Sequence, residues 1–91
     1  MKPIIETHPS PYGFGHDWTL TAFGRTLYLG QDAKFCRRVL GMTGGQVADR
    51  IGTNDLRGDE ARQDLASFIL EMFDLDETSI KNLQPWDLCA Q

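Results

Sequence analysis

The feature that most constrains the fold is an alternating run that begins at residue 12. Every second position of this run holds an aromatic, aliphatic or imidazole side chain: Tyr12, Phe14, His16, Trp18, Leu20 and Ala22. Polar residues fill most of the gaps: Asp17, Thr19 and Thr21. Because successive side chains of a strand point to opposite faces, this alternation indicates a strand with one buried face. We expect the strand over about residues 15–23.

A second run with strand character, Thr26–Gly30, follows after Gly24-Arg25. Gly at the first of two central positions is typical of a type II′ turn, so the sequence predicts a β-hairpin. Such a turn pairs Leu20 with Leu29. It also pairs Ala22 with Leu27 on the same face and Thr21 with Tyr28 on the opposite face. The register is constrained because a slip by one residue would turn the apolar side chains towards solvent.

The segment before the hairpin contains three of the four prolines, Pro3, Pro9 and Pro11. Proline is accepted at sheet edges but not in a central ladder. Ile4-Ile5 is compatible with a short edge strand, so residues 1–14 are expected to form a loop or an edge strand.

Two short helices are predicted after the hairpin. Asp32 is a suitable N-cap for a helix from Ala33 to Leu40, and Gly41 suits its end. Thr43-Gly44-Gly45-Gln46 matches a capping box, which predicts a second helix up to Ile51. The glycine-rich stretch between the helices is interpreted as a connection rather than a phosphate site, because it lacks the lysine of a P-loop.

Two more helices are predicted in the C-terminal half. Asp59 caps a helix to about Phe73, whose apolar positions follow helical spacing: Ala61, Leu65, Phe68, Ile69, Met72 and Phe73. Asp76 caps a helix from Glu77 to about Leu83. The segment 86–90 fits either a helical turn or a strand.

These elements predict one α+β domain over residues 1–91. Its order is β-β-α-α-α-α, with a small antiparallel hairpin or three-stranded sheet packed on one face by three to four short helices. Helix 59–73 and its neighbours are expected to cover the apolar face of the sheet. A hairpin by itself is marginal in water, which requires this packing.

The net charge of −4 is unevenly distributed, with acids in excess over residues 53–91. A basic cluster precedes them, formed by Lys34, Arg37, Arg38 and Arg50. Nucleic-acid binding through this cluster is one hypothesis. The overall acidity disfavours it, because non-specific binding depends on many contacts between cations and phosphate.

No assembled catalytic or metal-binding set is visible. His8, His16, Cys36 and Cys89 lack the close spacing of zinc ligands. Cys36 would need His16 as a base and an aspartate, Asp17 or Asp87, to orient it, yet it lies on an apolar stripe, where cysteine behaves as a small hydrophobe. We therefore expect a non-catalytic protein without metal or cofactor.

The second face of the hairpin offers a possible contact surface, formed by Thr19, Thr21, Phe23 and Tyr28. Aromatic side chains beside threonines can form a protein-binding patch. The alternative is that the N-terminal segment or residues 86–90 cover them. The expected function is a binding or regulatory module acting by protein–protein contact, through this face or through the acidic side of helix 59–73. A cytoplasmic protein without membrane association is expected, since no secretory signal or membrane span is recognisable.

Overall fold

The computed structural model describes residues 2–11 and 15–83. Its first layer is a three-stranded antiparallel sheet in the order β1-β2-β3, formed by β1 (Ile4–Pro9), β2 (His16–Ala22) and β3 (Arg25–Gln31). β1 pairs with β2 along its whole length. The three-stranded alternative and the edge strand near the N-terminus are therefore confirmed. Tyr12, Phe14, Asp87, Cys89 and the segment 86–90 lie outside the described residues.

The hairpin turn lies one residue earlier than predicted. Its central residues are Phe23 and Gly24, with φ angles of 53° and 78°. Two positive φ angles define a type I′ turn, whose twist matches that of the flanking strands. The predicted II′ turn at Gly24-Arg25 is wrong because the glycine takes the second central position. Phe23 therefore takes a left-handed conformation that is unusual for a bulky residue.

The earlier turn changes the pairing but preserves the faces. Leu20 pairs with Leu27, not with Leu29, and Thr21 pairs with Thr26, not with Tyr28. Each partner moves by two residues, and a shift by two keeps every side chain on its expected face. The register then shifts between Trp18 and Thr19, so that β3 contains one additional residue in a β-bulge.

The first predicted helix is correct in position but not in type. A short turn, α1 (Asp32–Lys34), continues into a π-helical segment, Phe35–Leu40. The N-cap is Gln31 rather than Asp32, whose side chain instead accepts a 2.7 Å hydrogen bond from the next backbone N–H. Gly41 ends the segment with a φ of 70°, as its sequence position suggests.

Helix α2 (Gly44–Ile51) has the predicted capping box. The Gln46 N–H donates to Thr43 Oγ1 at 3.1 Å, and the Thr43 N–H donates to Gln46 Oε1 at 2.9 Å. Gly52 ends this helix in the left-handed conformation.

Helices α3 (Ala61–Met72) and α4 (Glu77–Asn82) complete the chain that is described. Asp76 caps α4 as predicted. Asp59 does not cap α3, because a turn from Gly58 to Ala61 precedes the helix and Asp59 contacts Arg62 through an ion pair of 3.6 Å.

The core lies between one face of the sheet and the helices. It contains apolar side chains from every strand and helix-forming segment except α1: Ile5, Trp18, Leu20, Ala22, Leu27, Leu29, Phe35, Cys36, Leu40, Val47, Leu65, Ala66, Ile69 and Ile80. Phe68 and Phe73 are partly buried against it, whereas Met72 is exposed, so the predicted apolar stripe of α3 is narrower than its spacing suggests. Within the described residues, no helix has the length and apolar character that crossing a membrane requires.

Candidate functional site

The structure has two candidate sites, the outer face of the sheet and a cleft beside α2. On the outer face, Thr19 and Tyr28 are direct cross-strand partners. Thr21 pairs with Thr26, and their hydroxyl groups lie 3.0 Å apart. Their neighbours on β2 point into the core, so these side chains lie on the opposite face. Tyr28 is 52% exposed.

Phe23 does not belong to that strand face, although the sequence suggested that it does. It lies in the β2–β3 turn and is 40% exposed. The structure therefore brings Thr19, Thr21 and Tyr28 together and places Phe23 at the end of the same hairpin. The expectation that Phe23 continues the strand is wrong because the turn begins one residue earlier.

The four cations of the basic cluster do not share one cavity. Lys34, Arg37 and Arg38 are exposed on α1 and the π-helical segment, and no ion pair involves them within the described residues. Arg50 lies on α2 and lines a groove with Asp64 and Glu71 of α3. These carboxylates lower the positive potential around Arg50, so it is less available to phosphate.

A cleft of about 370 Å³ lies where the π-helical segment, the start of α2 and loop 53–58 meet. We call it the α2 cleft. Its walls include Trp18, Cys36, Arg37, Gly44, Gly45 and Arg57. The ring of Trp18 packs against Phe35 with a centroid distance of 5.9 Å.

Hydrogen bonds fix the loop side of the α2 cleft. Asp55 Oδ1 accepts from the Arg57 N–H at 3.0 Å, as in an Asx turn. The Arg57 side chain forms an ion pair with Asp32 at 3.6 Å and lies 3.0 Å from His16 Nδ1. The sequence shows loop 53–58 only as a polar, turn-rich stretch. Its Asn-Asp-x-Arg pattern indicates a fixed turn but not which elements it meets.

Two buried polar atoms in the described residues lack a hydrogen-bond partner, Trp18 Nε1 and Asp17 Oδ1. Such atoms are uncommon in folded proteins because an unmade hydrogen bond in the interior is costly. Sequence reasoning placed Trp18 correctly in the core, but the alternating pattern does not tell whether its indole N–H has an acceptor.

The geometry does not assemble Cys36 with a base. Burial, and secondarily the Asp32 carboxylate, raises the pKa of the Cys36 thiol from 9.0 to about 11. An activated cysteine requires the opposite shift. His16 contacts Arg57, and no hydrogen bond connects it with Cys36 in the described part of the chain. Over the same residues, no group of three or more potential metal ligands occurs.

Comparison with known proteins gives no relative: no family model, no curated protein and no solved structure matches this chain.

Proposed function

We propose that this protein is a small non-catalytic binding module that acts by contacting another protein through the outer face of its sheet. The observation that carries this proposal is the position of the exposed apolar side chains. Three large ones are exposed in the described residues, and two of them, Phe23 and Tyr28, belong to the β2–β3 hairpin. Tyrosine is among the residues that most often dominate binding energy at protein interfaces.

The chemistry around Tyr28 suggests what a partner presents. The surrounding side chains on the outer face are neutral hydroxyls from Thr19, Thr21 and Thr26, with Glu6 opposite Thr19 on β1. Glu6 has no ion-pair partner in the described part of the chain. A complementary surface therefore has an apolar pocket for the tyrosine ring and a lysine or arginine near Glu6.

Site-specific photocrosslinking in the cells that make this protein tests the proposal. A photoreactive phenylalanine analogue at position 28 is expected to give an adduct with one other protein. The same analogue at position 72 is the matched control, because Met72 is also exposed but lies on α3. With the partner identified, Tyr28→Ala is expected to weaken binding about tenfold or more, and Met72→Ala to leave it unchanged. Equal labelling at the two positions, or an adduct with a second copy of this chain, would contradict the proposal.

Nucleic-acid binding is the second candidate, supported by the exposed cations Lys34, Arg37 and Arg38, which form no ion pair with any described residue. It predicts a complex whose affinity falls with salt and with the double change Arg37→Ala/Arg38→Ala. Arg50→Ala is the matched control with a smaller effect, since Arg50 shares its groove with Asp64 and Glu71. An electrophoretic shift assay without a complex at low salt would eliminate this candidate.

A further inference from the structure

We infer that the α2 cleft binds the oxyanion group, a phosphate or a carboxylate, of a small ligand. The first observation is a pair of unused donors at the start of α2. Thr43 accepts the N–H groups of Gln46 through its side chain and of Val47 through its carbonyl. The N–H groups of Gly44 and Gly45 have no acceptor among the described residues. Such a helix end attracts anions, because its N–H groups and dipole favour negative charge.

The second observation is the indole of Trp18. This side chain is fully buried and lines the same cleft, and its Nε1–H has no acceptor among the residues that the structure describes. A buried donor without a partner is destabilising. Because Nε1 itself has almost no accessible surface, an acceptor oxygen bound in the cleft would satisfy it only if the neighbouring side chains shift on binding. The indole N–H and the two glycine N–H groups thus point to the same kind of ligand from independent parts of the chain.

The third observation concerns the two glycines themselves. Neither Gly44 nor Gly45 has a positive φ, so the backbone does not require glycine there. An added Cβ would meet its nearest atoms at 3.9 Å from Gly44 and 3.8 Å from Gly45, which is ordinary contact. Glycine is also unfavourable within a helix. The fold therefore gives no reason for this pair, whereas close approach of a ligand to the backbone does.

The carboxylates of the cleft oppose an anion, but they are already bonded within the protein. Asp32 accepts from the Ala33 N–H and pairs with Arg57, and Asp55 accepts from the Arg57 N–H. Arg37, by contrast, lines the cleft without an ion pair in the described residues. Over the described residues, the glycine and indole N–H groups that line the cleft lack a partner, whereas Asp32 and Asp55 each already accept a hydrogen bond, so the group that the cleft lacks is an acceptor.

The size of the cleft limits the ligand. Its volume of about 370 Å³ lies near the lower end of the roughly 300–1,000 Å³ range of small-molecule sites. The oxyanion is therefore carried by a small metabolite or exists as a free ion, and the cleft does not accommodate a nucleic-acid strand.

An NMR titration of the full chain tests this inference. Inorganic phosphate and acetate are added in separate experiments, with chloride at matched ionic strength as the control. We expect saturable chemical-shift changes of the Gly44 and Gly45 amides and of the Trp18 indole N–H with phosphate, acetate or both. The anion that binds more tightly identifies whether the ligand's oxyanion is a phosphate or a carboxylate. Shifts that do not saturate with either anion, or equal shifts with chloride, would overturn the inference.

Two variants separate binding from folding. Gly45→Ala is expected to weaken binding about tenfold, because the added Cβ would hold a ligand away from the backbone N–H groups, while the melting temperature stays the same or rises. Arg37→Ala is expected to weaken binding similarly, and the adjacent exposed Arg38→Ala to leave it unchanged. An equal loss with Arg38→Ala would show a general charge effect and contradict a site in the cleft.

Discussion

The guanidinium group of Arg25 donates a hydrogen bond to the backbone oxygen of Ile80 at 2.8 Å, although the two residues are 55 positions apart. The same Nη1 atom lies 3.1 Å from the carbonyl oxygen of Lys81. Both carbonyls belong to the last turn of α4, where backbone oxygens favour a cation; the Ile80 oxygen also accepts a long hydrogen bond of 3.4 Å from the Leu83 N–H. Arg25 directly follows the hairpin turn, so this contact holds a six-residue helix against the sheet.

We expect Arg25→Ala to lower the free energy of unfolding by about 1–2 kcal/mol, because it removes a charge-assisted and partly buried hydrogen bond. Arg25→Lys should lose less, since it keeps the charge. Urea denaturation measures both changes. Arg38→Ala is the matched control, with an expected change within about 0.5 kcal/mol for an exposed cation without such contacts. A loss for Arg25→Ala no larger than that of the control would show that α4 does not depend on this contact.

Phe23 is expected to reduce stability because of its backbone conformation. A left-handed conformation costs an L-residue roughly 1–2 kcal/mol, whereas Asn-Gly is preferred in a type I′ turn. Phe23→Asn should therefore raise the free energy of unfolding by about 1 kcal/mol, as measured by urea denaturation. Thr26→Asn, at an exposed strand position, should not stabilise the protein. If Phe23 contributes to the partner surface, the same change also weakens partner binding, so that stability and binding move in opposite directions.

The turn also shows how far the sequence determines the fold. Alternation correctly predicts the buried apolar side chains of β2 and β3 from Trp18 onwards, because that periodicity depends only on the backbone. It is wrong at the start of β2, where Asp17 is buried and His16 is only partly buried. It does not select between turns at 23–24 and 24–25, since both place Leu20 and Leu27 on one face. The strain at Phe23, a penalty for the observed turn, is offset by pairings elsewhere, including the Thr21–Thr26 contact. A prediction made from local turn preference alone does not take such cross-strand pairings into account.

The α2 cleft was less accessible to prediction than the fold. The capping box correctly locates the start of α2, and the alternation correctly buries Trp18. Neither pattern shows that the start of α2 lies beside Trp18, because their proximity depends on how α2 packs against the sheet. Arg57 was missed for the same reason, since its partners Asp32 and His16 are distant in sequence.

The cap of α4 gives a prediction for acid stability. The Ser79 N–H donates to Asp76 Oδ1 at 2.8 Å. This backbone hydrogen bond, and secondarily the Ser79 side chain, lowers the pKa of Asp76 from 3.8. A carboxyl with a lower pKa in the folded state stabilises it fully above the unfolded pKa and loses this effect as pH falls through the folded pKa.

Asp76→Asn should therefore reduce the dependence of the unfolding free energy on pH in the acid range, because it keeps an acceptor but removes the titration. Urea denaturation over a series of acid pH values measures this dependence. Asp64→Asn is the matched control, since Asp64 is exposed and forms no hydrogen bond in the described residues. If both variants have the acid dependence of the wild type, the cap does not contribute to it.

Cys36 gives a prediction in the alkaline range. Its pKa is raised from 9.0 to about 11, mainly by burial. The folded state then holds a proton that the unfolded state releases, so stability is unaffected below about pH 9 and decreases as pH rises towards 11. In a Cys89→Ser background, the native thiol should react slowly with a disulfide reagent at mildly alkaline pH and rapidly after unfolding in urea. Cys36→Ala in the same background should remove the alkaline loss of stability. Rapid labelling of the native protein would show that the Cys36 thiol is accessible and would make Cys36 a candidate reactive site again.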